Sequence, residues 1–205
     1  MIDNVEVDLR DVLLVVRDQE ARPTCLAHAV TAAHEHARGN AALLSPEYLY
    51  FFASTGASDG VSMNEVAGAL EVEGQCQEVH CPYLPQDPPS GWKPPTGLTV
   101  FRRASKPENT TPAAVEDVIR CGLAPVLGLT LPEPFFDPST PWVISSNGPV
   151  RGLHAVVAVG LGRHKGDRVF LIRNSWGVDW ADGGYAWLDD SFLARHLQEA
   201  LVLTH

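Results

Sequence analysis

The sequence predicts an α+β protein in two lobes, because a helical first half is followed by a β-rich second half. The first half holds Ala- and Leu-rich segments without internal proline, which are typical of helices. The second half holds runs of Val, Leu, Ile and Thr, which favour strands. Between them, residues 82–95 (PYLPQDPPSGWKPP) contain six prolines in fourteen positions, which excludes a helix or a central strand. We interpret this run as the crossing between the lobes.

The helical half is predicted to start with extended chain and to contain three helices. Residues 5–16 open with alternating polar and apolar side chains (V-E-V-D-L), which indicates extended chain. Residues 24–38 (TCLAHAVTAAHEHAR) predict a helix of about four turns that ends at Gly39. A second helix is expected to begin at 45–47 (S-P-E), where serine caps and proline suits the first helical position. The third is expected over residues 63–73, before a glycine.

The β-rich half is predicted to contain four strands and one helix. The strands are expected at residues 98–102, 124–131, 154–160 and 168–173. The helix is expected over residues 111–121, between the first two strands.

Composition limits the classes of function. The 205 residues are 45% hydrophobic, enough to bury one sizeable core or two small lobes. No stretch approaches the roughly 18 apolar residues that a membrane span needs. A formal net charge of −10 argues against nucleic-acid binding. The acidity either attracts basic substrates or only maintains solubility. The start, MIDNVEVDLRDV, lacks the features of a secretory signal, so we expect a cytoplasmic protein, with export by a signal-independent route as the alternative.

The four cysteines are too few for a disulfide-stabilised scaffold. Cys76 and Cys81 lie five residues apart and could form a bridge or bind a metal, but we favour free thiols. No second Cys/His pair with zinc spacing accompanies them, so neither a metal nor another cofactor is expected.

Three residues could form a nucleophile, a base and an orienting group. Cys25 lies at the start of a predicted helix, where the positive end of the helix dipole favours a thiolate. His154 lies at the leading edge of a strand that is expected to end in a Gly-rich turn (G-L-G). Asn174 ends the next strand, where its side-chain oxygen can accept a hydrogen bond from the imidazole. Three unrelated core residues are the alternative interpretation.

The segments around these residues resemble the papain-like cysteine peptidase family over essentially the whole chain, and bacterial members in particular. V-R-D-Q followed by T-C-L-A-H-A is similar to the family's opening, in which a glutamine, here Gln19, lies six residues before the nucleophile. L-S-P-E-Y-L-Y is similar to the next helix. L-H-A-V-V-A-V-G-L-G and L-I-R-N-S-W-G-V-D-W-A-D-G-G-Y are similar to the histidine and asparagine blocks. His154 and Asn174 follow Cys25 by 129 and 149 residues, which fits the family's spacing of about 130–150.

The resemblance implies a single catalytic domain over residues 1–205 with a papain-like fold. A mainly helical N-terminal lobe (about 1–95) and a β-barrel-like C-terminal lobe (about 96–205) would hold the active-site cleft between them. The implied activity is that of a cysteine endopeptidase of restricted specificity, which hydrolyses peptide or protein substrates through a thioester.

The resemblance also implies a role for each site residue. The Cys25 thiolate pairs with the His154 imidazolium, Asn174 orients the imidazole, and Trp176 covers their hydrogen bond. The Gln19 amide and the Cys25 N–H hold the oxyanion. The residues expected to bind substrate or support these groups, because they flank the nucleophile and the base, are Pro23, Thr24 and Leu153.

The chain departs from the family around the nucleophile. The family's C-G-S-C-W is replaced by R-P-T-C-L, which puts Pro23 in place of a glycine and Leu26 in place of an aromatic residue, so neighbouring subsites are expected to differ. His28 stands where the family usually has Phe, and is either a partner of the thiolate or a packed histidine. His34 and His36 are expected to be solvated.

Other family features are missing. These are the disulfide cysteines of the helical lobe and the G-C-N-G-G segment; S-T-G-A-S-D-G-V-S-M-N (54–64) stands near the place of that segment. We also expect no upstream propeptide. We therefore expect a reducing compartment, and control by narrow specificity, by a regulatory or inhibitory protein partner, or by export before use. The alternatives to an endopeptidase are a catalytically weak binding module and a peptide ligase or transamidase that uses the same acyl-enzyme.

Overall fold

The computed structural model of the protein describes residues 2–54, 60–145 and 148–204. Its helices are α1 (Cys25–Ala37), α2 (Pro46–Ala53), α3 (Met63–Val72), α4 (Pro112–Arg120) and α5 (Asp190–His196). Its strands are β1 (Asn4–Asp8), β2 (Ser105–Pro107), β3 (Val126–Pro132), β4 (Val143–Ile144), β5 (Val150–His164), β6 (Asp167–Arg173), β7 (Tyr185–Asp189) and β8 (Leu197–Leu203). The two-lobed α+β prediction is confirmed. Within the described ranges, no helix is both long and apolar enough to cross a membrane.

The predicted helix starts are confirmed by their caps. The Ser45 hydroxyl accepts a hydrogen bond from the Tyr48 N–H at 2.9 Å, and Pro46 occupies the first position of α2. At the start of α3, Ser62 and Glu65 form a reciprocal capping box. Each cap satisfies backbone N–H groups that have no partner inside the helix, which explains why these short helices begin where they do.

The strands form one sheet in the order β2-β8-β3-β5-β6-β7-β4, with β1 paired to β5. Among the described residues no ladder joins the end strands β2 and β4, so this barrel-like lobe is not closed by hydrogen bonds. Three predicted strands are confirmed as β3, β5 and β6. The strand predicted at 98–102 is wrong: this segment makes only one bridge, from Phe101 to Gln75, and its Leu98 and Val100 pack beside Cys76. Side-chain packing on the helical lobe replaces strand pairing there.

Both faces of the sheet are buried. Along β5, Ala155, Val157 and Val159 pack in the core shared with α1, α2 and α3. The intervening Val156 and Ala158 pack in a second core that includes side chains of α4 and α5. Successive side chains of a strand point to opposite faces. The uninterrupted apolar run H-A-V-V-A-V-G therefore contributes to both cores.

The glycines after this run lie within β5, so the Gly-rich turn expected there is wrong. A Cβ on Gly160 would lie 2.5 Å from the Val7 carbonyl oxygen, and one on Gly162 would lie 2.7 Å from that of Asn4. The glycines let β1 approach β5 closely. As a result the first strand belongs to the sheet, although the division at residue 95 assigned it to the helical half.

Helix α1 is enclosed on nearly all sides, with ten of its thirteen residues buried. His34 is one of them, and its Nδ1 lies 2.8 Å from Gln75 Oε1. The expectation that His34 is solvated is therefore wrong, because it treated this helix as a surface helix. His36 is half-buried, and its Nε2 lies 2.9 Å from the Gly122 carbonyl oxygen. Cys76 and Cys81 are free thiols buried beside one another, as we favoured.

The segment before α1 is held to the helical lobe by a buried ion pair. Arg22 Nη1 and Nη2 lie 2.5 and 3.1 Å from the two carboxylate oxygens of Glu47 in α2. Both side chains are almost fully buried. Arg22 Nη1 also donates to the Leu84 carbonyl at 2.6 Å. Residues 82–95 contain no helix or strand, as predicted. The bond to Leu84 attaches this run to the loop that leads to Cys25.

Replacing Arg22 with leucine is expected to lower the free energy of unfolding by about 3 kcal/mol, because Glu47 is left buried without its partner. Urea denaturation followed by circular dichroism measures this change. Arg151→Leu is the matched control, since Arg151 pairs with Glu133 on the exposed surface and should leave stability nearly unchanged. Equal effects of the two substitutions would contradict the stabilising role of the buried pair.

Candidate active site

The predicted site residues converge on a cleft of about 620 Å³ between the lobes. The six of the eight predicted residues that line it are Gln19, Pro23, Cys25, Leu153, His154 and Trp176. Asn174 is buried and bonded to His154. Thr24 is fully buried. Thr24 therefore does not meet substrate and acts as a support.

Cys25 is the first residue of α1, and the start of that helix has no side-chain cap. The Thr24 hydroxyl, which could cap it, instead lies 2.9 Å from the Tyr83 hydroxyl. The first backbone N–H groups of α1 are therefore free of a side-chain acceptor and can interact with a thiolate or an oxyanion. The helix start provides this environment because Tyr83 draws the Thr24 side chain away.

His154 and Asn174 are joined across neighbouring strands. His154 lies in β5 opposite Leu129 of β3, and Asn174 directly follows β6. The His154 Nε2 lies 2.7 Å from Asn174 Oδ1. Because an amide oxygen only accepts, Nε2 must carry the proton, which leaves Nδ1 as the basic atom. The Trp176 ring packs against the imidazole with 4.6 Å between the ring centroids.

Burial acts on both members of the predicted ion pair. It raises the pKa of the Cys25 thiol above its ordinary value. It lowers the pKa of His154 to about 4, against the opposing effect of the bond to Asn174. Burial alone thus favours a neutral thiol and imidazole. A thiolate–imidazolium pair requires that the attraction between the two charges and the helix start outweigh both penalties. The ion pair stays a prediction.

The Gln19 side chain is held in one orientation by two hydrogen bonds. Its Nε2 donates to the Arg22 carbonyl at 2.8 Å, and its Oε1 accepts from the Ser175 hydroxyl at 2.7 Å. A carbonyl only accepts, so the amide nitrogen must face Arg22. One N–H of Nε2 remains available at the cleft. The arrangement suits the predicted oxyanion donor.

A backbone bridge joins the segment before the nucleophile to the segment after Asn174. The Gln19 N–H donates to the Ser175 carbonyl at 2.8 Å, and the Gly177 N–H donates to the Arg17 carbonyl at 3.1 Å. Gly177 has a φ of +73°, and a Cβ there would lie 2.9 Å from Asp18 Oδ2. The left-handed backbone conformation therefore favours glycine at this contact.

Sequence reasoning missed four supporting residues. Phe135 and Phe136 pack on Trp176 with centroid distances of 5.6 and 5.5 Å. Ser175 orients Gln19, and the Tyr83 hydroxyl donates to the Gln19 carbonyl at 2.7 Å. Ser175 could have been found, since it lies inside the asparagine block. The two phenylalanines follow a strand, and Tyr83 lies in the proline-rich run, so no periodic pattern marks them.

The residues that depart from the family lie in two environments. Pro23 is exposed at the cleft, and its carbonyl oxygen would lie 3.2 Å from a Cβ on Gly60. Leu26 is largely buried; it packs in the core under α1 and also lines the cleft. His28 is a packed histidine, with Nδ1 3.0 Å from the Thr24 carbonyl oxygen and its ring edge-on to Tyr83. Of the segment 54–64, residues 60–63 line the cleft and residues 55–59 lie outside the described residues.

The chain is similar to known cysteine proteases in sequence. A family model described as "Papain family cysteine protease" matches residues 139–197. Over 194 residues the chain is 30% identical to cathepsin K of Gallus gallus, an alignment that covers 90% of this chain and 56% of that protein. Over 43 residues it is 46% identical to Peptidase 1 of Psoroptes ovis. That alignment covers 21% of this chain and 13% of that protein. The chain thus spans about half the length of the cathepsin.

Solved structures share the fold. Xylellain, a cysteine protease from Xylella fastidiosa, superposes with a TM-score of 0.84 at 20% identity, over 100% of this chain and 87% of that one. The bromelain protease of Ananas comosus, in complex with the E64 inhibitor, superposes with a TM-score of 0.77 at 18% identity, over 97% of both chains. A sequence match across nine-tenths of the chain, a family model over the histidine and asparagine blocks and a shared fold all relate the chain to the papain-like cysteine peptidase family.

Proposed function

We propose that the protein is a cysteine endopeptidase that hydrolyses peptide bonds through a Cys25 thioester. The observation that carries the proposal is the buried 2.7 Å hydrogen bond between His154 and Asn174, covered by Trp176, beside a cysteine that starts a helix. This is the arrangement of nucleophile, base and orienting group that acyl transfer needs. The cleft is also open enough to take an extended peptide.

The proposed reaction proceeds in two acyl-transfer steps. The Cys25 sulfur attacks the peptide carbonyl carbon, and the proton of the thiol passes to His154 Nδ1. The oxyanion accepts hydrogen bonds from Gln19 Nε2–H and the Cys25 N–H. His154 then protonates the leaving amine as the C–N bond breaks and the thioester forms. Water, deprotonated by His154, attacks the thioester and releases the acid and the thiol.

Alkylation by iodoacetamide tests the nucleophile directly. At pH 6 we expect Cys25 to react about 10-fold faster than the exposed Cys121, because His154 takes up the thiol proton. On the acid side the rate should fall near pH 4, the pKa of His154, as the pair takes up a second proton. Mass spectrometry of the separated peptides reports each cysteine.

The control for this test is His154→Ala, in which the selective labelling of Cys25 should be lost. If Cys25 in the unaltered protein reacts only above pH 8 and no faster than Cys121, the chain is the catalytically weak binding module instead. If labelling is selective but peptide products appear only in the presence of a second amine, the acyl-enzyme serves ligation rather than hydrolysis.

Substitution of Gln19 by alanine should lower kcat for peptide hydrolysis about 100-fold, because one donor to the oxyanion is lost. Alkylation of Cys25 by iodoacetamide should change little, since that reaction forms no tetrahedral oxyanion. Gln198→Ala is the matched control, because Gln198 lines the same cleft but does not neighbour Cys25 in sequence or bond to Ser175. A fall in both reactions by the same factor would mean that Gln19 maintains the loop and not the oxyanion.

The cleft also supports a proposal about the substrate. Its wall beyond the nucleophile holds Val61, Met63 and Leu129, with the carboxylate of Glu199 beside them. An apolar wall with one acidic group suits a long side chain that ends in a cation, because its methylene groups can pack while its charge meets the carboxylate. We propose that substrates present lysine or arginine to this part of the cleft.

Glu199→Gln should therefore lower kcat/KM about 5-fold for peptides with lysine or arginine at this position. A loss of this size corresponds to the free energy of an exposed ion pair. Peptides with leucine there should be hydrolysed at an unchanged rate. Asp167→Asn, which removes a carboxylate from an exposed residue outside the cleft, serves as the control variant. Equal losses for basic and leucine peptides, or in both variants, would refute the assignment.

We also propose that the cleft accepts an inhibitory or regulatory protein segment. Two structural neighbours are described as a procathepsin L 3 of Tenebrio molitor and as the Amb a 11 cysteine protease in its proform. Leu153, which is 78% exposed at the rim, offers apolar surface to such a segment. A bound segment must protect Cys25 from iodoacetamide while Cys121 stays reactive; a candidate inhibitor that slows peptide hydrolysis without this protection acts elsewhere.

A further inference from the structure

A small cavity of about 10 Å³ lies beside the catalytic residues and is separate from the substrate cleft. Its lining includes the polar residues Arg17, His28, Arg173, Asn174 and Ser175. The space is about that of one water molecule. The rest of the wall is formed by Ala29, Ala32, Ala155 and Val157, so the partners for a water come from the polar side chains. Polar partners and this size distinguish a site for a buried water from an empty apolar cavity.

Two buried nitrogen atoms of the lining residues have no hydrogen-bond partner among the described residues. They are His28 Nε2 and Asn174 Nδ2. Each residue is only 3% exposed. A buried polar atom without a partner is expensive, by about 1–3 kcal/mol, and native proteins satisfy such atoms with ordered water.

The proton positions of the two nitrogen atoms are complementary. His28 Nδ1 lies 3.0 Å from the Thr24 carbonyl oxygen, which only accepts, so the imidazole proton is on Nδ1 and Nε2 is an acceptor. Burial lowers the pKa of His28 to about 3, so the ring stays neutral at ordinary pH. Asn174 Oδ1 accepts from His154 and from the Ser175 N–H at 2.8 Å, so Nδ2 offers two donors to the cavity side.

We propose that one buried water accepts a hydrogen bond from Asn174 Nδ2 and donates one to His28 Nε2, which makes His28 a positioning residue for the catalytic triad. The inference rests on the proposed function, because its effect on rate requires that Asn174 orient the catalytic imidazole. The water holds the amide with its oxygen toward His154. With the amide rotated by half a turn, its NH₂ group would meet the Nε2–H and the imidazole would lose its acceptor.

The charged groups around the cavity do not favour an anion in place of water. Arg17 is engaged by Glu35 and Glu78, and Arg173 donates to the Leu14 and Val15 carbonyls. An anion would also face the lone pair of the neutral His28 ring, which repels it. Water, which donates to one nitrogen and accepts from the other, satisfies both.

A crystal structure of the unaltered protein at high resolution provides the first test. We expect one ordered water within 3.2 Å of both His28 Nε2 and Asn174 Nδ2. An empty cavity, or an Asn174 Nδ2 bonded to a protein atom, would overturn the proposal. This readout does not depend on activity, so it can fail or succeed whether or not the protein hydrolyses peptides.

Substitution of His28 provides the second test. In His28→Leu, kcat for peptide hydrolysis should fall about 10-fold at unchanged KM, because the imidazole is less well oriented. In His28→Gln, whose side-chain oxygen can replace Nε2 as acceptor, kcat should recover to within about 3-fold of the unaltered protein. The pH profile of Cys25 alkylation should shift in the leucine variant and not in the glutamine variant.

His34→Leu is the matched control, since His34 lies on the same helix, is fully buried and also has an unpartnered Nε2. It should lose stability but keep the kcat and the alkylation profile of the unaltered protein. If both leucine variants lose kcat equally, His28 only stabilises α1 and the positioning role is refuted. If His28→Leu does not fold, the crystallographic water and the glutamine variant still decide the matter.

Discussion

The proposed catalytic arrangement depends on the backbone bridge between the segment at Gln19 and the turn after Asn174. The proposed nucleophile starts a helix of one lobe, and the proposed base and its orienting residue come from a strand and from the end of the next strand in the other lobe. Nothing within either lobe sets the distance between them. Two hydrogen bonds, from Gln19 N–H to the Ser175 carbonyl and from Gly177 N–H to the Arg17 carbonyl, set this distance across the interface together with the packing of α1 on β5. The Ser175 side chain then orients the Gln19 amide from the same turn.

The loop that carries this bridge is held equally firmly on its other side. Arg17 pairs with the buried Glu35 of α1, and Arg22 pairs with the buried Glu47 of α2. Burying charge is costly, so such pairs add stability only where the geometry is close and the remaining donors are used. Here the remaining guanidinium donors reach the Leu44 and Leu84 carbonyls. The loop is thus attached to one lobe by side-chain charge and to the other by backbone hydrogen bonds, which leaves the site little freedom to distort.

Local signals predicted the elements that have local causes. The start of α2 follows from a capping serine and a proline, and β5 follows from a long apolar run. The elements that were missed have distant causes. Strand β8 is a strand because it pairs with β2 and β3, and α5 is a seven-residue helix whose cap, Asp189, ends the preceding strand. The segment at 98–102 shows the opposite error, a predicted strand that is absent. Its apolar side chains pack against the cluster at Cys76, and the segment does not pair along a strand edge.

The sequence by itself determined which groups are proposed to carry the chemistry. Cys25 begins a helix, His154 lies at the leading edge of a strand and Asn174 ends the next one, both in specific blocks, and Gln19 stands six residues before the nucleophile. Only the tertiary structure decided which contacts hold these groups. Tyr83 bonds to Thr24, Ser175 bonds to Gln19, and His28 lines the same cavity as Asn174. The physical reason is that a hydrogen bond between residues 59 or 156 positions apart leaves no periodic mark on the chain. Helix caps and strand alternation do leave one, because their partners are a few residues away.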